Sequence, residues 1–138
     1  MRAGIALLSA LAVAGCVAHG PGRATTAASP AALRGAWAAT KLDGRPAPPR
    51  LLRLEFDEAS VRGTIACNSF GSTYRIEGAA LAIAEASLTT VGCGTGFEAS
   101  ERIVADALFP RIYAHFEDGG KTLVLTGLHT IRLSRSAH

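Results

Sequence analysis

Alternation with a period of two runs through most of the second half of this chain, and it constrains the fold more than any other feature. Leu52, Leu54 and Phe56 alternate with Arg53, Glu55 and Asp57. Val61, Gly63, Ile65 and Cys67 share one side of the next run, with Arg62 and Thr64 on the other. Tyr74 and Ile76, Leu81 and Ile83, then Ile112, Ala114 and Phe116, Leu123 and Leu125, and Ile131 and Leu133 repeat the pattern. Successive side chains on a strand point to opposite faces, so each run has one face for a core and one for water. Turn dipeptides separate the runs: Asp43-Gly44, Gly78-Ala79, Asp118-Gly119-Gly120 and Gly127-Leu128. Short strands joined by tight turns are antiparallel. The expected class is mainly β, α+β overall: an antiparallel, barrel-like curled sheet with one helix near residues 96–109.

That helix is the only long segment with period 3.6. Phe97, Glu101, Val104 and Leu108 lie on one track, which Ile103 and Ala107 widen. Thr95 and Glu98 have capping-box spacing, and Pro110 stops the helix. Glu98 and Glu101 read as carboxylates meeting the helix dipole rather than as an acid–base pair. Before the strands, Leu33 to Leu42 forms a β-like run around Trp37, the single tryptophan, which reads as core. Pro46, Pro48 and Pro49 then oppose regular pairing. Gly63 and Gly71 suggest a bulge or bend where the sheet curls, and Asn68 a side chain bonded to backbone where the chain turns after Cys67.

The N-terminus sets the compartment. Arg2 precedes an apolar run from Ala3 to Val13, too short for the roughly 20 residues that cross a bilayer. Small residues then lead to Cys16, as at a secretory cleavage site. Val13-Ala14-Gly15-Cys16 resembles the lipobox of bacterial lipoproteins, which implies cleavage after Gly15 and lipid on Cys16; an ordinary signal peptide with an accidental cysteine, or an uncleaved anchor, is the alternative. On this reading residues 1–15 are a lipoprotein signal peptide. Residues 16–30 are the lipidated cysteine and a flexible tether rich in Ala, Gly, Thr, Ser and Pro. The domain spans 31–135. More than one acyl chain, as such lipoproteins carry, gives stable anchoring. The resemblance therefore places the protein on a membrane in an oxidising envelope. With Val17 rather than Asp after the cysteine, it faces the periplasm from the outer membrane if the cell is Gram-negative.

Without Arg2 the chain keeps 13 of its 14 Lys and Arg against 11 Asp and Glu, a net charge near +2. The basic residues are scattered with no aromatic interleaving, so nothing points to nucleic acid.

Three segments together resemble the META/HslJ family of small bacterial envelope domains. They are Leu33…Trp37…Leu42-Asp43-Gly44, then Gly63-Thr64-Ile65-Ala66-Cys67-Asn68-Ser69-Phe70-Gly71-Ser72-Thr73-Tyr74, then Thr89-Thr90-Val91-Gly92-Cys93 followed by Glu98. The resemblance makes Trp37, Asn68, Phe70, Gly71, Tyr74, Thr89 and Glu98 the structural motif, with Gly71 one residue early, and it implies a β-rich, barrel-like fold with a helix. It brings no defined activity.

Cys67 and Cys93 remain once Cys16 carries lipid, and an even remainder in an oxidising compartment suggests a disulfide; two buried free thiols are the alternative. The bond would close a loop of 26 residues, worth about 3–4 kcal/mol in the chain-entropy model. A catalytic Cys67 would need His115 or His129 to converge on it. The set Cys67, Cys93, His115 and His129 lacks the close pairs of a zinc site, so neither a metal nor a cofactor is expected.

The leading expectation is a non-catalytic envelope lipoprotein domain. It would support envelope integrity or stress and drug tolerance by binding an envelope protein or a small apolar ligand in the barrel mouth. The alternatives are a thiol or hydrolytic enzyme using Cys67 or Ser69, and an inhibitor or folding helper for envelope proteins.

Overall fold

The alternating runs become strands that pair with their neighbours until the sheet closes on itself. A computed structural model describes residues 24–94 and 96–137. Residues 1–15, expected to be a signal peptide, Cys16 and Thr95 lie outside the described residues. Strands β2 (Gly35–Leu42), β4 (Leu52–Phe56), β5 (Ser60–Ile65), β6 (Asn68–Glu77), β7 (Ala80–Ile83), β9 (Arg111–Glu117), β10 (Thr122–Thr126) and β11 (Thr130–Arg135) form the ring. Its order is β9-β10-β11-β2-β4-β5-β6-β7, and a β7–β9 pairing completes an eight-stranded antiparallel barrel. Short strands extend it: β1 (Thr26–Ala27) on β9, β3 (Arg45–Pro46) on β2, and β8 (Ser87–Leu88) on β6. Closure leaves few free edges, which removes the template for strand-to-strand aggregation.

The inward residues are those the alternation selects. Leu52, Leu54, Phe56, Val61, Ile65, Tyr74, Leu81, Ile83, Ile112, Ala114, Phe116, Leu123, Leu125, Ile131 and Leu133 are all buried. Trp37 is core: it is fully buried, its ring lies 5.7 Å from that of Phe116, and its Nε1 donates to the Leu33 carbonyl at 2.7 Å. The Arg135 guanidinium sits over the tryptophan ring, 4.4 Å from its centroid, a cation–π contact. Tyr74 packs edge-on against Phe56, and its hydroxyl donates to the Asp57 carbonyl at 2.8 Å. Burial raises the Tyr74 pKa above the usual phenol value.

Several expectations need correction. Thr26 and Ala27 pair with Phe116 and His115, Ala28 is buried, and Ser29 caps a short helix, α1 (Pro30–Leu33). The last residues of the span expected as tether are therefore part of the fold. Pro46 pairs with Lys41, because an edge position asks it for no ladder N–H. Gly63 and Gly71 form no bulge, since the β5–β6 register runs unbroken through both. The register shift falls between Arg132 and Leu133, opposite Lys41 and Ala39, so Thr40 is the extra residue. Gly63 serves packing instead. A Cβ there would lie 2.3 Å from the Arg53 carbonyl oxygen and 3.0 Å from Phe70 Cε1, so the Phe70 ring takes the space a side chain would need. Val124, on the outward side by alternation, is also buried. It stands between His115 and Arg132, which join Glu117 in an ion cluster over that face.

The second helix, α2 (Glu98–Leu108), is 11 residues long. It buries Val104, Ala107 and Leu108, and its chain leaves through Phe109-Pro110. Its N-cap is Phe97, which makes no side-chain cap bond, so Glu98 is the first helical residue and not the third. The Thr95–Glu98 capping box therefore does not describe this start.

Candidate functional site

The motif residues gather where the β5–β6 hairpin meets the start of α2. Ile65 pairs with Asn68, so Ala66 and Cys67 are the two central residues of a tight turn. Ala66, at φ 53°, takes the left-handed geometry of this turn. Cys67 thus lies in the turn and not on the inward face of β5, and it is exposed. Its sulfur bonds Cys93 at 2.07 Å with the Cα atoms 5.4 Å apart, within normal disulfide geometry.

Asn68 is the hub of the cluster. It is only 2% exposed, and a buried amide needs partners for both its oxygen and its nitrogen. Its Oδ1 accepts from the Val91 backbone N–H at 2.7 Å and from the Thr89 hydroxyl at 3.0 Å. Its Nδ2 donates to the Val91 carbonyl at 2.9 Å and to Glu101 Oε1. Thr89 Oγ1 accepts in turn from the Ser69 N–H at 2.9 Å, and the Thr89 N–H donates to the Ser69 carbonyl at 3.0 Å. The Cys67 N–H points at Cys93 Sγ, 3.1 Å away. One side chain and one disulfide therefore pin residues 89–93, which have little regular structure of their own, to the barrel and to the first turn of α2.

Of the motif residues, Asn68 and Thr89 meet here beside the Cys67–Cys93 bond, and Glu98 does not. Glu98 is exposed, whereas Glu101, three residues further along, reaches Asn68. Both stand in the first turn of α2; only Glu101 faces the barrel, a choice that the missing capping box concealed. Phe70 lies just inside the cluster and meets the Phe109 ring edge-on with centroids 5.4 Å apart. Gly71 sits on the open outer surface with nothing within 4 Å of a Cβ. Trp37 and Tyr74 belong to the core elsewhere.

His115 and His129 are engaged away from the cysteines. His115 Nε2 lies 3.4 Å from Glu117, and His129 Nδ1 lies 2.8 Å from Asp43 Oδ2. The Thr130 N–H donates to the other Asp43 oxygen at 2.8 Å. These bonds, the backbone one first, hold the Asp43 carboxyl below the ordinary aspartate value. Among the described residues no three His, Cys, Asp or Glu side chains are grouped to hold a metal ion.

Two grooves flank the cluster. One, of about 370 Å³, is apolar and runs between Ile83, Ala86 and Leu88 on one side and Phe109 and Pro110 on the other. The second, of about 460 Å³, crosses the outer face of β4, β5 and β6 and includes Arg53, Arg62, Thr64 and Ser69.

A small closed antiparallel barrel, with an irregular segment pinned across one end by a disulfide and a buried asparagine, is the class this architecture defines. The META domain model matches residues 31–138, and the chain belongs to that family. Two solution structures share the fold, each with a TM-score of 0.64. A protein from Burkholderia xenovorans is 19% identical, covering 90% of this chain and 99% of its own. A second protein is 16% identical, covering 78% of this chain and 94% of its own. Among curated proteins none matches the chain.

Proposed function

We propose that this chain is an envelope lipoprotein, anchored by lipid on Cys16, whose META barrel works by binding another envelope protein and not by catalysis. The observation that carries the reading is how the motif is used. Asn68, Thr89, Glu101 and the Cys67–Cys93 bond are all engaged with one another. The polar side-chain atoms of Asn68 and Thr89 are all spent on the fold, which leaves them nothing for a substrate. The barrel interior, filled by Trp37, Phe56 and the inward leucines and isoleucines, favours a partner at the surface over an apolar molecule in the mouth.

A surface-accessible disulfide suits an oxidising compartment. The chain's path suits an anchor as well. Thr26 pairs with Phe116 just before the β9–β10 turn, at the opposite end of the barrel from the β5–β6 turn and α2. About ten residues separate Cys16 from Thr26, a reach of at most roughly 35 Å. A lipid on Cys16 would hold the β9–β10 end toward the membrane and point the Asn68 cluster away from it.

In the native host, a Cys16→Ala variant should leave the membrane fraction. Deleting the gene should sensitise cells to envelope stress or drugs, and the Cys16→Ala variant should not restore tolerance. A deletion strain with no envelope phenotype would overturn the reading. The hydrolytic alternative predicts a Ser69 adduct with a serine-directed fluorophosphonate; the binding reading predicts none.

A further inference from the structure

The outer-face groove has a chemistry that the binding reading does not specify, and we infer that it takes the carboxylate of a ligand carrying a short apolar group. The inference rests on the reading that this domain binds, and names the ligand class.

Register builds the site. Arg53 on β4 pairs with Thr64 on β5, and Thr64 pairs with Ser69 on β6. Directly paired residues share a face of the sheet, with Cβ atoms about 4.5–5.5 Å apart. A guanidinium fork and two hydroxyls therefore stand side by side in one row. The neighbouring row, two residues along, carries Glu55, Arg62 and Gly71. Between the rows, Leu54 and Phe70 turn their side chains into the core, so the floor is their backbone and that of Gly63, and the surface of the groove is mostly apolar.

The two arginines differ in what they already hold. Arg62 makes a two-pronged pair with Glu55, at 3.2 and 2.8 Å. Arg53 reaches only neutral acceptors, Ser136 Oγ at 3.4 Å and the Ala137 carbonyl at 3.5 Å. No carboxylate pairs with Arg53 among the described residues. An exposed guanidinium with weak neutral partners keeps its preference for a planar, bidentate carboxylate. Thr64 and Ser69 can donate to the same oxygens, and the floor suits a small apolar group. A volume of about 460 Å³ is at the lower end of ligand sites and fits one or two residues of peptide or a short aliphatic chain. The same chemistry ends a peptide chain and a free aliphatic acid.

The test titrates the full chain, in neutral detergent, with hexanoate and with acetyl-Ala-Leu, each against its carboxamide, following amide resonances by NMR. The carboxylates should shift Thr64, Ser69 and Gly63 saturably, and the carboxamides should bind about tenfold more weakly or less. Arg53→Gln should lose about tenfold, with an otherwise unchanged amide spectrum reporting an intact barrel. Arg53→Lys should recover part of that loss. Preference for acetyl-Ala-Leu would point to peptide ends, and preference for hexanoate to free acids. Equal binding of the carboxamides, indifference to Arg53→Gln, or no saturable shift would overturn the assignment. An envelope phenotype on gene deletion combined with any of those results would sink this groove and leave the broader binding reading standing.

Discussion

Replacing Asn68 tests the claim that one buried amide holds the cover segment to the barrel. Asn68→Ala removes the bonds accepted from the Val91 N–H and the Thr89 hydroxyl and those donated to the Val91 carbonyl and Glu101, besides a longer contact with Cys93 Sγ at 3.5 Å. A typical bond contributes a net 0.5–1.5 kcal/mol, and one to a charged group somewhat more. Val91 and Thr89 are exposed, so water can reach their freed backbone and hydroxyl groups. The loss should then be about 2–4 kcal/mol. With a urea m-value of about 1.5 kcal/mol/M, the unfolding midpoint should fall by roughly 1.3–2.7 M at constant m, with the disulfide intact. Asn68→Asp sharpens the test. It keeps the acceptor for Val91 and Thr89 but sets a carboxylate against Glu101. Two carboxylates in contact raise each other's affinity for a proton in the folded state. The folded protein then binds more protons than the unfolded one, so the penalty of Asn68→Asp should shrink as pH falls toward the carboxylate range. A midpoint shift below about 0.3 M for Asn68→Ala, or a pH-independent penalty for Asn68→Asp, would refute the hub role.

Other perturbations have equally definite outcomes. Joint replacement of Cys67 and Cys93 by serine should cost about 3–4 kcal/mol from the 26-residue loop alone, read by the same urea transition, and a loss near zero would mean that the hydrogen bonds suffice. That pair and Asn68→Ala hold the same segment, so their combined cost should differ measurably from the sum. Gly63→Ala should destabilise by about 1–3 kcal/mol, because the new methyl meets backbone at 2.3 Å; a thermal midpoint equal to that of the parent would contradict the packing. The Asp43 carboxyl has its pKa depressed in the folded state below the ordinary 3.8. Its stabilisation is therefore complete above that value and disappears as pH falls through the lower folded one. The stability gap between the parent and Asp43→Asn should close on acidification across that window, and a gap independent of pH would exclude the linkage.

Much of this architecture is legible in the residues, for a definite reason. In an antiparallel sheet with one face buried, alternation alone assigns the core, and Leu52, Leu54, Phe56, Ile112, Phe116, Ile131 and Leu133 all fall inside. The Asp43-Gly44 turn follows likewise, with both residues at positive φ. What alternation does not show is how a barrel uses each small departure from it. Gly63 looks like a bulge and is a seat for Phe70, a contact set by the neighbouring strand. The bulge at Thr40 has no glycine to mark it. Thr26 and Ala27 look like slack chain because two residues carry no period, yet β9 offers them an edge. Glu98 and Glu101 are three residues apart, and only the pitch of a helix starting after Phe97 decides which one meets Asn68. The outer-face groove left no motif, because Arg53, Thr64 and Ser69 are joined by register across three strands.

We propose a lipid-anchored, disulfide-closed barrel in the cell envelope. The most direct measurement is the intact mass of the protein from the membrane fraction of its native host, before and after reduction and thiol alkylation. The account predicts loss of residues 1–15, added acyl mass on Cys16, and alkylation of Cys67 and Cys93 only after reduction. An unacylated chain whose two barrel cysteines alkylate freely without reductant would contradict it.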